Sequence, residues 1–284
     1  MHRRRFLAAT GALATTAAAG CLTENTGSSP TETTGTTDRE TPDPPKTETT
    51  TSTPLSVSLD RYQPGVVAMT SPDSIGVRDG DRAALFLDIA PDGDDAPARD
   101  EFALRFGGTD YASVDPDDVR LWREYGDRAA AYGVDGRDGW LLFDLPQSGD
   151  AANARLSWPG GEWPLPQSLR ERLAAGFDFS VEYDFPETVE RGERPTVGLT
   201  VTNNTDAPAR FLGALNRAGP FVAHAPIETP SFVLDSGDTR TWTYEDDYYM
   251  SGDLDESKVG DGTPDMTYYV EAVDERREFQ VRVV

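Results

Sequence analysis

The chain has 284 residues, with 50 acidic against 26 basic side chains, and a net charge of −24. Such a surplus repels phosphate-rich partners, which excludes nucleic acid and makes an acidic membrane surface a poor ligand. With one cysteine in the whole chain, and His224 the one histidine beyond the opening residues, there is no material for an internal disulfide or for the usual zinc and copper sites.

Residues Met1 to Cys21 read MHRRRFLAATGALATTAAAGC, a basic patch followed by a stretch without charge from Phe6 to Gly20. This layout predicts a signal peptide over residues 1–20. The apolar stretch is about 15 residues long, short of the roughly 20 that a spanning helix needs, so it is read as cleaved. Arg3 and Arg4, a spacer, then Phe6 and Leu7 resemble the twin-arginine export signal, which implies export of an already folded protein. Ala18, Ala19 and Gly20 lead into Cys21 in the manner of a lipobox, which Ala18 departs from by standing where Leu is usual. That resemblance implies a lipid on the Cys21 thiol and a mature chain anchored to the outer face of the cell membrane. An ordinary secretory cleavage site is the alternative.

From residue 21 to 54 Thr, Pro, Glu and Ser dominate and large apolar residues are nearly missing, so the segment is read as a disordered stalk with an r.m.s. span of about 30 Å. Apolar blocks then return between Gly, Pro and Asp: Ser56 to Tyr62, Ala83 to Ile89, Phe102 to Phe106, Trp140 to Leu145 and Ala154 to Trp158. Their length and spacing predict strands, giving a first β-sandwich over 55–166. Gln167 to Ala175 reads as a short helix, with Ser168 and Glu171 at capping-box spacing and Gly176 closing it, so 167–176 connects two domains. In FDFSVEYDF, Phe177 to Phe185 alternate strictly with polar residues. Strands follow at Thr196 to Thr202, Arg210 to Ala214, Ser231 to Leu234, Thr239 to Tyr244, Tyr268 to Val273 and Glu278 to Val284. Seven strands over 177–284 predict an immunoglobulin-like sandwich without the Cys…Trp…Cys core. The fold class is all-β: two immunoglobulin-like β-sandwich domains joined by a short helix.

The stretches QPGVVAMTSPDSIGV, GWLLFDLP, ARLSWPGGEWPLP and VERGERPTVGLTVTNNTDAP together resemble haloarchaeal surface lipoproteins with tandem immunoglobulin-like domains. The use of Arg over Lys, with Lys46 and Lys258 the sole lysines, and runs of Asp resemble secreted proteins of extreme halophiles. Molar salt shortens the Debye length to about 3 Å and so screens this much self-repulsion. The resemblance implies a fold and a location and carries no catalytic residue.

The search for chemistry yields little. There is no G-x-S-x-G elbow and no phosphate-cradling Gly motif. His224, in GPFVAHAP, is read as a packing or surface residue. Calcium is the one cofactor with candidates, in the acidic loops Asp92, Asp94, Asp95 and Asp253, Asp255, Glu256, Asp261, for which solvated loops are the plainer reading. Trp122, Trp140, Trp158 and Trp163 are weighed as a sugar-stacking platform against a core role, with core preferred for Trp140 and Trp158. The acidic stretch Glu245 to Thr267 carries Tyr248, Tyr249 and Met250, which are candidate partner contacts or part of a disordered loop. Asn203-Asn204-Thr205 is an N-glycosylation acceptor sequence in an expected turn. The reading is a non-enzymatic surface lipoprotein that meets an envelope protein or glycan. An extracellular hydrolase and a calcium-organised adhesion protein are its alternatives.

Overall fold

The computed structural model describes residues 55–93, 96–122, 130–133, 138–190, 192–219, 224–246, 264–272 and 275–284. The signal peptide, Cys21, the stalk, Asp94, Asp95 and the Tyr248 to Asp261 candidates lie outside them. The fold is all-β, with one α-helix among the described residues.

The first module pairs a three-stranded sheet, β1 (Leu55–Ser71), β2 (Ser74–Pro91) and β5 (Gly139–Pro146), with a four-stranded one. The latter runs β4 (Thr109–Ala112), β3 (Ala103–Phe106), β6 (Arg155–Trp158), β7 (Gly161–Pro164). The runs ALFLDI and WLLFDL are apolar without alternation because their sheet is covered on both faces. Leu85, Leu87, Leu141 and Phe143 face the inter-sheet core, whereas Ala84, Phe86, Trp140 and Leu142 lie under Val114, Val119 and Leu121.

The helix α1 (Gln167–Ala175) buries Leu169 and Leu173 in that same core. Its bounds are those expected, but its start is not. Pro166 is the N-cap, no side chain caps the helix, and the capping box proposed for Ser168 and Glu171 is replaced by a bond from Gln167 Nε2 to Glu171 Oε1 of 2.8 Å. Gly176 ends it at φ 73°.

The second module has β8 (Phe179–Asp184), β10 (Thr196–Asn203) and β14 (Thr239–Glu245) in one sheet. The other contains β11 (Ala209–Ala218), β15 (Met266–Ala272) and β16 (Glu275–Val283), with β12 (Ala225–Glu228) and β13 (Ser231–Leu234) along β11. The short β9 (Thr188–Val189) pairs parallel to β16. Counted within each module, with β9 left aside and β12 and β13 sharing the fourth place, both follow one plan. First, second and fifth strands form one sheet; fourth, third, sixth and seventh form the other. This is an immunoglobulin-like arrangement in both.

The modules are not beads joined by a helix alone. The described residues from Leu55 onward belong to a single compact unit. The β1–β2 hairpin is the reason: beyond a kink at Pro64 and Gly65 its distal half, Val67 to Val77, packs on β11. At the kink Asp79 to Arg82 stand opposite Gly65, which holds φ 62°. A Cβ there would come within 2.2 Å of the Arg78 carbonyl oxygen, so the bend depends on glycine. Val67 and Ile75 from the arm, with Trp122, bury against Leu212 and Ala214 of β11.

Candidate functional site

At the junction, a buried amide acts as a substitute strand. Asn216 on β11, 2% exposed, accepts from the Ile75 N–H at 2.8 Å through Oδ1 and donates to the Ile75 carbonyl at 2.8 Å through Nδ2. The Val77 N–H donates to Glu271 Oε2 at 3.1 Å. His224 lies beside the arm's tip, its Nδ1 3.3 Å from the Asp73 carbonyl oxygen and its ring stacked on Tyr269 at 5.1 Å. His224, read as a packing or surface residue, is half-buried in this place. A second tie comes from α1: Arg172 donates to the Tyr62 and Pro208 carbonyls, and its guanidinium lies 5.3 Å from the Tyr62 ring centroid. Burial pushes the Tyr62 hydroxyl well above the ordinary tyrosine range, against the opposing pull of Arg172.

Within the second module, Arg217 at the end of β11 forms an ion pair with Asp246, and Tyr268 Oη donates to the same Asp246 Oδ2 at 2.7 Å. Both ionic side chains are under a tenth exposed. Burial, and then the Asp246 carboxylate, drive the Tyr268 hydroxyl far above its usual range, so it keeps the proton it donates to Asp246.

The surface suited to a partner is an open groove of about 520 Å³ between β16 and the segment after β8. Phe185 and Phe279 stack at 4.2 Å with planes 8° apart, and Pro186 and Pro264 also line it. Glu187, Glu278, Gln280 and Arg282 supply polar and charged groups. Pro264 belongs to the stretch singled out as a contact surface, whereas Tyr248, Tyr249 and Met250 lie outside the described residues. The aromatic pair was missed because Phe185 and Phe279 read as ordinary strand positions.

The Trp residues and Asn203 resolve against a site. Trp122 and Trp140 are buried, and Trp158 and Trp163 pack half-buried against the first core, so the four form no stacking platform. Asn203 is not the exposed acceptor expected. Its side chain is 0% exposed; Nδ2 donates to the Ala207, Leu234 and Asp235 carbonyls and Oδ1 accepts from the Thr205 N–H and hydroxyl. The atom that would carry a glycan instead ties together the turn after β10. Among the described residues no group of three or more His, Cys, Asp or Glu is placed to hold a metal ion, and Asp253, Asp255 and Asp261 lie outside them.

No protein-family model matches the chain and no curated protein aligns with it in sequence. Among solved structures, a β-glucosidase from Listeria innocua aligns at 14% identity over 60% of this chain and 21% of its own length, with a TM-score of 0.27. A β-glucosidase from Erythrobacter marinus aligns at 9% over 39% and 16%, with a TM-score of 0.28. The alkylpurine DNA glycosylase AlkC of Pseudomonas fluorescens, bound to DNA containing an abasic site analogue, aligns at 16% over 41% and 33%, with a TM-score of 0.27. The chain thus spans about a fifth of the first of these, and superpositions this loose carry no argument about activity.

Proposed function

We propose that this chain is a lipid-anchored surface protein of a halophilic archaeon whose two sandwiches act as one rigid binding unit, held off the membrane by the stalk. The observation that supports it best is the shared hairpin arm. A flexible tether followed by a body with a fixed internal geometry suits a protein that must reach a partner and then present surfaces in constant relation. The acidic surface fits an exterior of high ionic strength, where the screening length falls to about 3 Å. The groove floored by Phe185 and Phe279 is the contact surface on this reading, and its partner is an envelope protein or glycan with an apolar or planar group to stack on the aromatic pair.

The test is site-directed cross-linking on intact cells in native salt. A photoreactive side chain at Glu278, on the groove, is expected to yield a discrete adduct. The same group at Glu162, on β7 of the other module, is expected to yield none. Equal labelling at both positions, or none at either, would count against the groove as the contact surface.

A further inference from the structure

We infer that β14 is a pairing edge, through which a second copy of this chain adds antiparallel to join two three-stranded sheets into one. The inference is independent of the binding role proposed for the groove.

Among the described residues, the main chain of β14 has one occupied side and one side that none of them covers. The Asp246 N–H bonds the Pro195 carbonyl and the Asp238 carbonyl accepts from the Asn203 N–H, so even-numbered residues direct their backbone groups toward β10. Because strand residues alternate, Thr239, Thr241, Thr243 and Glu245 direct theirs away from the sheet, where no described residue meets them. The strand is seven residues long, and its register with β10 runs without a shift from Thr196↔Glu245 to Thr202↔Thr239. It contains neither Pro nor Gly. An uninterrupted edge of this kind is a template for another strand.

The equivalent strand of the first module shows the contrast. β5 occupies the same place in the same plan, yet its outer edge is covered: Val114 donates to the Leu142 carbonyl, Tyr132 to the Trp140 carbonyl, and Trp140 to the Ala130 carbonyl. Other edges are blunted by other means. β7 ends on Pro164, β12 contains Pro226, and β8 exposes Glu182 and Asp184.

A second copy fits this edge because the strand complements itself. Pairing centred on Trp242 keeps inner face on inner face and outer on outer. On the inner side it sets Trp242 against Trp242 of the second copy and Arg240 against its Tyr244. On the outer side it sets Thr241 against Thr243, extending hydroxyl pairs that β10 and β14 already form, Thr200 with Thr241 at 3.0 Å and Thr202 with Thr239 at 2.8 Å. Each outward-directed pair exchanges two main-chain bonds, and no like charges face each other across the seam. The contact is two-fold symmetric and closes on itself. With a net charge of −24 on each chain, the association strengthens as salt rises.

The experiment uses the full chain carrying Cys21→Ser, which removes both the lipid site and the sole thiol, studied by sedimentation velocity and far-ultraviolet circular dichroism over a concentration series in about 1 M salt and above. Expected are a concentration-dependent shift to dimer mass and an exciton couplet from the paired Trp242 rings that grows with it. Thr243→Pro deletes an outward N–H and leaves the β10 ladder whole, so it is expected to melt near the parent and stay monomeric. Should that variant fail to fold, Trp242→Lys sets two ammonium groups opposite each other and is expected to abolish the dimer. Trp242→Phe should keep the dimer and lose the couplet. A chain that stays monomeric, a folded Thr243→Pro that dimerises like the parent, or a dimer without the couplet overturns the inference, as does an edge that takes an extended peptide while the chain itself remains single.

Discussion

Replacing Asp246 with Ala is expected to lower stability by about 3–5 kcal/mol, the cost of stripping a buried cation of its carboxylate. Arg217 and Asp246 are 9% and 3% exposed at their side chains, so water restores little to the guanidinium. Tyr268 loses its acceptor at the same time. Tyr268→Phe, which leaves the ion pair intact and removes one bond to a charged group, is expected to cost about 1.5–3 kcal/mol. Combining Arg217→Met and Asp246→Leu with Tyr268→Phe should regain most of the loss, since an apolar group of similar volume is often as stable as a buried ion pair and no hydroxyl is left without its acceptor. Denaturant titration in molar salt checks all three. An Asp246→Ala variant within about 0.5 kcal/mol of the parent, the range of ordinary surface changes, would show that the ion pair contributes nothing.

The second large effect is expected at Asn216. Truncation to Ala leaves the N–H and carbonyl of Ile75 unpaired in a buried interface, at about 1–3 kcal/mol for each group. The more telling consequence is loss of coupling. The parent is expected to unfold in one calorimetric transition, because the hairpin belongs to both modules. Asn216→Ala is expected to resolve two, with the second module melting first, having lost the arm that covers Leu212 and Ala214. One unsplit transition, lowered or not, would mean that Trp122 and the apolar contacts suffice to hold the arm.

Where pattern and environment agreed, the sequence was a good guide. FSVEYD alternates because β8 has one wet face, and α1 has the bounds expected from its apolar spacing and Gly176. The connecting arm was not legible. Pro64 and Gly65 signal a break, and in the first module they are one; the strand nevertheless continues because the second module offers Asn216 and an apolar face to the segment beyond. No local pattern encodes a surface that lies some 140 residues away in the chain. The helix start failed for a related reason: Pro166 already holds an extended backbone at φ −55° and ψ 149°, so Ser168 falls inside the helix and has nothing to cap. Asn203 reads as a glycan acceptor by its triplet, yet the carbonyls of Leu234 and Asp235, which capture its amide, come from a distant turn. The common plan of the modules was also hidden. Their strands share order and pairing rather than residues, with the first module's sheet covered on both faces and the β14 edge of the second met by no described residue.

The proposal stands on a body tethered at Cys21, and its most direct measurement is the distribution of Cys21→Ser between membrane and medium in cells that export it. A lipid-anchored protein is expected to leave the membrane fraction and appear in the medium, folded and of unchanged size apart from the lipid. Retention of the serine variant on the membrane at the parent's level would contradict the anchor and, with it, the picture of a rigid pair of sandwiches displayed on a lipidated stalk.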